Sequence, residues 1–260
     1  VAALTTDAVL TLLQEVADQV ITPRFRALSE DQISSKTHPG DLVTVADREA
    51  EVLITAELRA AYPQAVVLGE EAFADDPDSL ERFRAAEHAF TVDPVDGTRN
   101  FVHGSPDHAV MVAETRDGQT ERAWIWQPQH RLAFVAERGS GATRNGEPLP
   151  RLQVGPDPRG WRVRTSSRRQ VGERLADTPP MELTWVSCGI DYPKLAQGEC
   201  DALLYRGTRP WDHVPGALLV SEVGGVVGAA DGGPYTPRSD PQGILATSGP
   251  AVFEHLRQES

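Results

Sequence analysis

Cysteine is almost absent from this chain: Cys188 and Cys200 are the only two in 260 residues. They give neither a disulfide framework nor a zinc-ligand spacing and read as ordinary buried thiols of a reducing compartment. Long apolar runs are missing too. No stretch approaches the ~18 apolar residues that a membrane helix needs. Residues 1–20 mix threonine, aspartate, glutamine and glutamate among apolar positions, without the basic start and continuous apolar core of a signal peptide. The expected location is therefore the cytoplasm, with no membrane partner. Positive charge is in deficit: 25 basic against 38 acidic residues leave a formal charge of −13. Such a surface repels nucleic acid and anionic membranes, so no nucleic-acid partner is expected. Internal repeats and low-complexity segments are also lacking.

What is present is enough to fold. The 40% hydrophobic content suits a protein that buries a sizeable core as one large domain or two small ones. Leu10, Leu13, Val16, Ala17, Val20 and Ile21 recur at helical spacing and predict an opening helix that ends near Pro23. Ala46, Ala50, Leu53, Ile54 and Leu58 predict a second helix over 44–62, stopped by Pro63. Residues 65–68 read as a short buried strand leading to Gly69-Glu70-Glu71, and 80–86 as a short helix. A strand over 88–92 is expected to run into an acidic turn. Runs at 109–114, 122–126 and 132–137, separated by Asp117-Gly118 and Pro128-Gln129, predict an antiparallel meander. Beyond a proline-punctuated crossover, strands are expected at 183–188, 201–205, 226–227 and 243–247, with helices at 212–222 and 250–257. This order implies an α+β fold of several stacked layers. The best boundary, at 156–160, divides the chain into residues 1–155 and 156–260, two halves packed as one unit.

The most informative segment is Val92-Asp93-Pro94-Val95-Asp96-Gly97-Thr98-Arg99-Asn100-Phe101. Two carboxylates three residues apart, with a proline between them, can hold hard cations together with an intervening carbonyl. The Gly-Thr that follows exposes backbone N–H groups to a phosphate. Asp47 in the first turn of the second helix, Glu70 at a strand end and Asp212 after Trp211 are three further carboxylates placed to enter a shared cleft. Oxygen-only ligation of this kind suits Mg²⁺. The histidines His103, His108 and His213 beside these motifs do not pair at ligand spacing and read as polar packing. Ser166 and Ser167 lack a His/Asp partner pattern, so serine nucleophile chemistry is not expected. The arginines at 159, 162, 164, 168 and 169 read as a solvated strand face.

Taken together, Asp41-Leu42-Val43-Thr44-Val45-Ala46-Asp47, Gly69-Glu70-Glu71, the Asp93–Phe101 segment, Gly141-Ala142-Thr143-Arg144-Asn145-Gly146, and Trp211-Asp212 leading to Glu222-Val223-Gly224-Gly225 resemble the inositol monophosphatase family of magnesium-dependent, lithium-sensitive phosphatases. The resemblance implies a layered αβαβα sandwich, with most metal ligands in the first half and Asp212 and the substrate-facing loops in the second. It implies that Glu70, Asp93 and the Val95 carbonyl hold one Mg²⁺, that Asp93, Asp96 and Asp212 hold a second, and that a third leans on Glu70. Gly97 and Thr98 amides would receive the phosphate at a helix N-terminus. Catalytic roles fall to Asp47, Thr98 and Glu70: Thr98 orients the attacking water and Asp47 keeps the Thr98 hydroxyl acting as acceptor. Lys36 would lie near the phosphate or the outer metal, and a homodimer is expected.

The leaving alcohol is read elsewhere. By the same resemblance, Asp191, Tyr205 and Arg206 face the substrate. Tyr205 stands where inositol-specific members place a glutamate, a departure from that pattern. The leading expectation is a phosphatase of small phosphorylated alcohols such as inositol 1-phosphate. The alternatives are a histidinol-phosphate phosphatase, a fructose-1,6-bisphosphatase, a phosphoadenosine nucleotide phosphatase, against which Asn100 argues, and a non-catalytic regulatory member.

Overall fold

The computed structural model describes residues 3–35 and 42–257. Thr6–Val16 (α1) starts at Thr5, whose hydroxyl accepts from Ala8 N, and continues through one π turn at Ala17–Ile21. Pro23 lies in the 3₁₀ turn Thr22–Arg24 that ends it. Ile33–Ser35 (β1) pairs antiparallel with Leu42–Thr44 (β2). Val45–Ala61 (α2) opens on a capping box: Thr44 Oγ1 accepts from Ala46 N, and Asp47 Oδ2 accepts from Thr44 N at 2.9 Å. A cap of this kind stabilises a helix by about 1 kcal/mol. Here it also fixes the rotamer of Asp47.

Val66–Gly69 (β3) is followed by Glu70–Asp75 (α3) and Ser79–Ala85 (α4), and then by His88–Asp96 (β4) and Thr98–Val102 (α5). Ala109–Arg116 (β5), Gln119–Gln127 (β6), Leu132–Glu137 (β7), Gly141–Arg144 (β8) and Glu147–Pro148 (β9) complete a seven-stranded sheet in sequential order. Only β3 and β4 are parallel; the rest are joined as an antiparallel meander. The tight turn between β5 and β6 is Asp117-Gly118, both at positive φ (50° and 76°), the backbone that matches strand twist in a two-residue hairpin.

The second sheet is mixed. Val163–Thr165 (β10), Glu182–Leu183 (β11), Ala202–Tyr205 (β12), Val226–Ala229 (β13) and Ile244–Thr247 (β14) take the order β11-β10-β12-β14-β13, with β10 parallel to both its neighbours. Cys188–Ala196 (α6), Pro210–Glu222 (α7) and Pro250–Leu256 (α8) are the helices of this part. α1 and α2 cover one face of the seven-stranded sheet, α6 and α7 lie between the two sheets, and α8 covers the far face of the second. The layers are therefore α, β, α, β, α, as the resemblance implied. A sheet covered on both faces needs apolar residues at consecutive positions, and β4 is buried at every residue after His88. Phe90, Trp124 and Phe134 are fully buried in this sheet, each contributing roughly 1.5–3 kcal/mol.

Three local features differ from the expectations. The acidic turn is the end of a strand: β4 continues through Asp96, with a bulge between Asp93 and Asp96. The strand expected over 183–188 is only two residues long, because Val186 takes a left-handed backbone (φ 61°) and Cys188 opens a helix. That helix, α6, carries Pro193 inside it. Proline removes the N–H that would bond the Gly189 carbonyl, and Gln127 Nε2 donates to that carbonyl instead, at 2.7 Å. α6 and α7 approach so closely at Gly216 that a Cβ there would sit 2.1 Å from Tyr192 Cγ. The division at 155/156 stands as a proposal, supported by the two sheets being drawn from residues 66–148 and 163–247.

Candidate active site

The bulge explains how Asp93 and Asp96 meet. On a regular strand, residues three apart point to opposite faces. Asp93 pairs with Met111 and Asp96 with Ala109, so one extra residue is accommodated on β4 and both carboxylates reach one side. Pro94 fits there because a bulged residue leaves the ladder and needs no N–H. Asp212, in the first turn of α7, faces them from the middle helix layer. One carboxylate oxygen from each of Asp93, Asp96 and Asp212 lies within 4.8 Å of the others. Glu70 opens α3 at the end of β3, and Asp93 is within hydrogen-bonding reach of both Glu70 and Asp212.

Electrostatics suits this cluster to a cation. Burial, then the charges of Glu70, Asp96 and Asp212, hold Asp93 well above the usual carboxylate range; burial and Glu70 do the same to Asp212. Asp93 Oδ1 is buried and has no hydrogen-bond partner among the described residues. A buried, unpartnered carboxylate oxygen facing further carboxylates is the donor set that a hard divalent cation satisfies. The residues therefore fit the metal that the sequence implied. Asp96 is pushed up to about 6 by burial, against the opposing hydrogen bonds that it accepts from Ser187, Gly189 N and Cys188 N.

Those three donors were not anticipated. Ser187 Oγ donates to Asp96 Oδ2, Gly189 N to the same oxygen at 2.8 Å, and Cys188 N to Oδ1 at 3.1 Å. The start of α6 thus clamps one metal-site carboxylate. Glu51 plays the matching part for α3: its carboxylate accepts from Glu71 N and Ala72 N at 2.7 and 2.8 Å, fixing the helix that carries Glu70. Both contacts join residues twenty or more apart, and no local pattern announces them.

Thr98 and Asp47 come together as expected. Thr98 Oγ1 lies 3.0 Å from Asp47 Oδ1 and 3.0 Å from the Val95 carbonyl. Asp47 is fully buried and pushed up to about 6, chiefly by desolvation. Gly97 precedes Thr98 at φ 81°, a left-handed backbone that also brings the chain against Ser187, where a Cβ would be 2.9 Å away. The first amides of α5, at Gly97 and Thr98, are orphan donors of a helix start. Asn100 Nδ2 ties this helix across the cleft to the Asp107 and Trp185 carbonyls at 2.7 and 2.9 Å.

The substrate-facing expectations divide. Asp191 and Tyr205 are buried at 1% and 4% exposure, and Asp191 accepts from Trp185 N at 2.7 Å through one oxygen and from Tyr205 Oη at 3.1 Å through the other. Burial pushes Asp191 up to about 8. The pair holds the 184–187 loop from behind, with each Asp191 oxygen already engaged within the fold. Arg206 is exposed. Lys36 and Asp41 lie outside the described residues. His213 sits near Cys188 and Asp212, yet both its nitrogens are engaged, with Tyr192 Oη at 2.9 Å and the Gly207 carbonyl at 2.9 Å. Burial holds its pKa at about 3, so it is a neutral packing group. The arginine strand expectation also divides: Arg162 and Arg164 pair with Asp201 and Glu182, while Arg168 and Arg169 are exposed.

A fold of two sheets around a central helix pair, with a buried carboxylate cluster at a strand bulge, defines a class of metal-dependent proteins. The inositol monophosphatase family profile matches residues 4–260, and the chain belongs to that family. It is 35% identical to an inositol-1-monophosphatase of Mesorhizobium japonicum over 85% of this chain and 86% of that one. It is also 34% identical to a protein named Nus factor SuhB of Pseudomonas aeruginosa, over 72% of each. Among solved structures, an IMPase of Thermotoga maritima superposes with a TM-score of 0.81 at 24% identity, over 97% of this chain and 94% of that one. The extragenic suppressor protein SuhB of Bartonella henselae gives 0.78 at 26%, covering 96% of each. Among the described residues no helix is long and apolar enough to cross a membrane.

Proposed function

We propose that this protein is a Mg²⁺-dependent phosphate monoester hydrolase acting on small phosphorylated alcohols such as inositol 1-phosphate. The observation that carries the reading is the Thr98–Asp47 contact of 3.0 Å beside the Asp93, Asp96 and Asp212 cluster. Glu70, Asp93, Asp96, Asp212 and the Val95 carbonyl would hold two to three Mg²⁺. Bound there, the metal supplies charge neutralisation for a dianionic ester and acidity for a water molecule. The chain's own groups do the rest. Gly97 and Thr98 amides bind phosphate oxygens at the start of α5. Asp47 accepts a hydrogen bond from the Thr98 hydroxyl, which leaves the Thr98 oxygen lone pairs to orient the attacking water and take its hydrogen bond. Glu70, at the start of α3, would help to hold the metal that acidifies this water. We take attack to be direct: Ser187 is engaged in donating to Asp96, and the Cys188 thiol is held protonated by burial first and then by the surrounding carboxylates.

The test is phosphate release from inositol, sugar, histidinol and nucleotide phosphates, with Mg²⁺ and with Li⁺ added. Expected are Mg²⁺-dependent, Li⁺-inhibited turnover and, for Asp93→Asn, a loss of about a thousandfold or more in kcat. Near wild-type turnover by Asp93→Asn overturns the mechanism. A second reading, a regulatory member that acts by binding a partner, is favoured by the likeness to the proteins named Nus factor SuhB. Absence of turnover on the whole panel selects it. We extend the proposal to a homodimer, for which light scattering should give about twice the 28.2 kDa chain mass.

A further inference from the structure

Two buried carboxylates on α2 serve different parts of the cleft floor. Asp47 and Glu51 are one helical turn apart and so share a face of the helix. Asp47 reaches Thr98 on α5, whereas Glu51 reaches the junction of β3 and α3. There Glu51 Oε2 accepts from Glu71 N at 2.7 Å and Oε1 from Ala72 N at 2.8 Å. Gly69 leaves room for this carboxylate. A Cβ at 69 would lie 2.4 Å from Glu51 Cδ and 2.5 and 2.6 Å from its two oxygens. The backbone at Gly69 is extended (φ −98°, ψ 149°), which any residue can adopt. What excludes a side chain at 69 is therefore Glu51. The atoms met are the end of a flexible chain, so a methyl at 69 displaces the carboxylate and spares the backbone.

α3 is a weak element by itself. It is six residues long, none of them is buried, and Gly69 as its N-cap has no side chain to accept the first amides. A helix so short does not hold its own shape in water. Contacts from elsewhere must place it: Glu51 at its start, and Trp211 against Phe73, with ring centroids 5.2 Å apart. Yet α3 carries Glu70, whose side chain reaches Asp93. The other carboxylates of the site come from firmer supports, Asp93 and Asp96 from β4 and Asp212 from α7. Charge-assisted hydrogen bonds of the kind that Glu51 makes are about twice as strong as neutral ones, so their loss is felt first at Glu70.

Resting on the metal-dependent reading above, we propose that Glu51 is a positioning residue: by capping α3 from α2 it sets Glu70 for its cation, while the cation of Asp93, Asp96 and Asp212 keeps its own supports. α2 is then the common template for the Asp47–Thr98 pair and for the Glu70 metal. The probe is Mn²⁺, a hard cation for the same oxygen donors, added to metal-free protein and followed by electron paramagnetic resonance of the free ion. The wild type should bind two or more ions. Glu51→Gln keeps the size of the side chain and sets an NH₂ group against one α3 amide. It should weaken one ion about ten- to a hundredfold, the loss expected for a supporting hydrogen bond, and leave another within about threefold. Gly69→Ala should give the same split with Glu51 intact. In Glu51→Ala/Gly69→Ala the clash is gone, so the double variant should match Glu51→Ala within about threefold. Equal weakening of every ion, no weakening, or losses that add in the double variant overturn the inference. A wild type that binds no Mn²⁺ overturns the metal reading together with it. A wild type that binds Mn²⁺ but releases phosphate from no ester overturns the hydrolase reading alone, and the split still decides for or against Glu51.

Discussion

On the seven-stranded side of the cleft, Asp96 accepts three hydrogen bonds, from Ser187, Cys188 and Gly189, and Asp47 accepts three, two from Thr44 and one from Thr98. On the five-stranded side, Arg168, Arg169 and Arg206 are exposed on loops, and Arg209 lies over the Phe73 and Trp211 rings and within electrostatic reach of Asp212. The floor is thus held atom by atom from strands and helix starts, while these loops present exposed side chains. Reaction chemistry needs groups fixed to fractions of an ångström, and recognition of an alcohol tolerates loops that adjust. Substitutions in the floor should therefore change kcat or metal affinity, and those in the loops should change discrimination.

The comparison can be pressed from its strongest consequence downward. Thr98→Ala removes the hydroxyl that orients the water and should lower kcat by about a hundredfold to ten-thousandfold with little change in thermal midpoint, read by steady-state kinetics and melting on one sample. Equal losses of activity and stability would assign Thr98 to the fold instead. Ser187→Ala removes a donor to Asp96 and should weaken Mg²⁺ activation about ten- to a hundredfold, seen as a shifted Mg²⁺ titration at a retained maximal rate. A normal titration would detach α6 from the floor.

A smaller, pH-linked effect separates the support layer from both. Burial raises folded Asp191 from 3.8 to about 8, so the folded chain holds this proton more tightly than the unfolded chain. The stabilisation is full below the unfolded pKa and is lost as pH rises through about 8. Asp191→Asn, which cannot ionise, should flatten the melting profile over that window, changing the difference from wild type by at least about 5 °C between its ends when measured in chelator. Parallel profiles would mean that Asp191 is not the titrating group.

Much of the floor was legible because its information is local. Asp93 and Asp96 are three apart, Thr44 and Asp47 form a capping box, and Gly97 precedes Thr98. Proline and glycine at 189–193 hid α6, since both residues argue against a helix while Gln127 supplies the missing bond from another strand. The run Thr184-Trp185-Val186 favours a strand by composition, and a left-handed Val186 breaks it. Ser187 and Glu51 could not be found at all, because their partners lie far along the chain and only tertiary packing selects them. Tyr205 and Asp191 were placed at the substrate because a resemblance transfers positions along the chain, whereas burial depends on what packs around them.

The contact at Gly216 carries the idea one step further from the metal. Asp212 and Gly216 are one helical turn apart on α7, and the absent side chain at 216 lets Tyr192 lie directly against the helix. A single methyl there must push α6 and α7 apart, and those two helices bring Ser187–Gly189 and Asp212 to opposite sides of one carboxylate cluster. The tolerance of the cleft is thus set by the width of an interhelical gap, as the aperture of a caliper is set by the spacing of its jaws at the hinge.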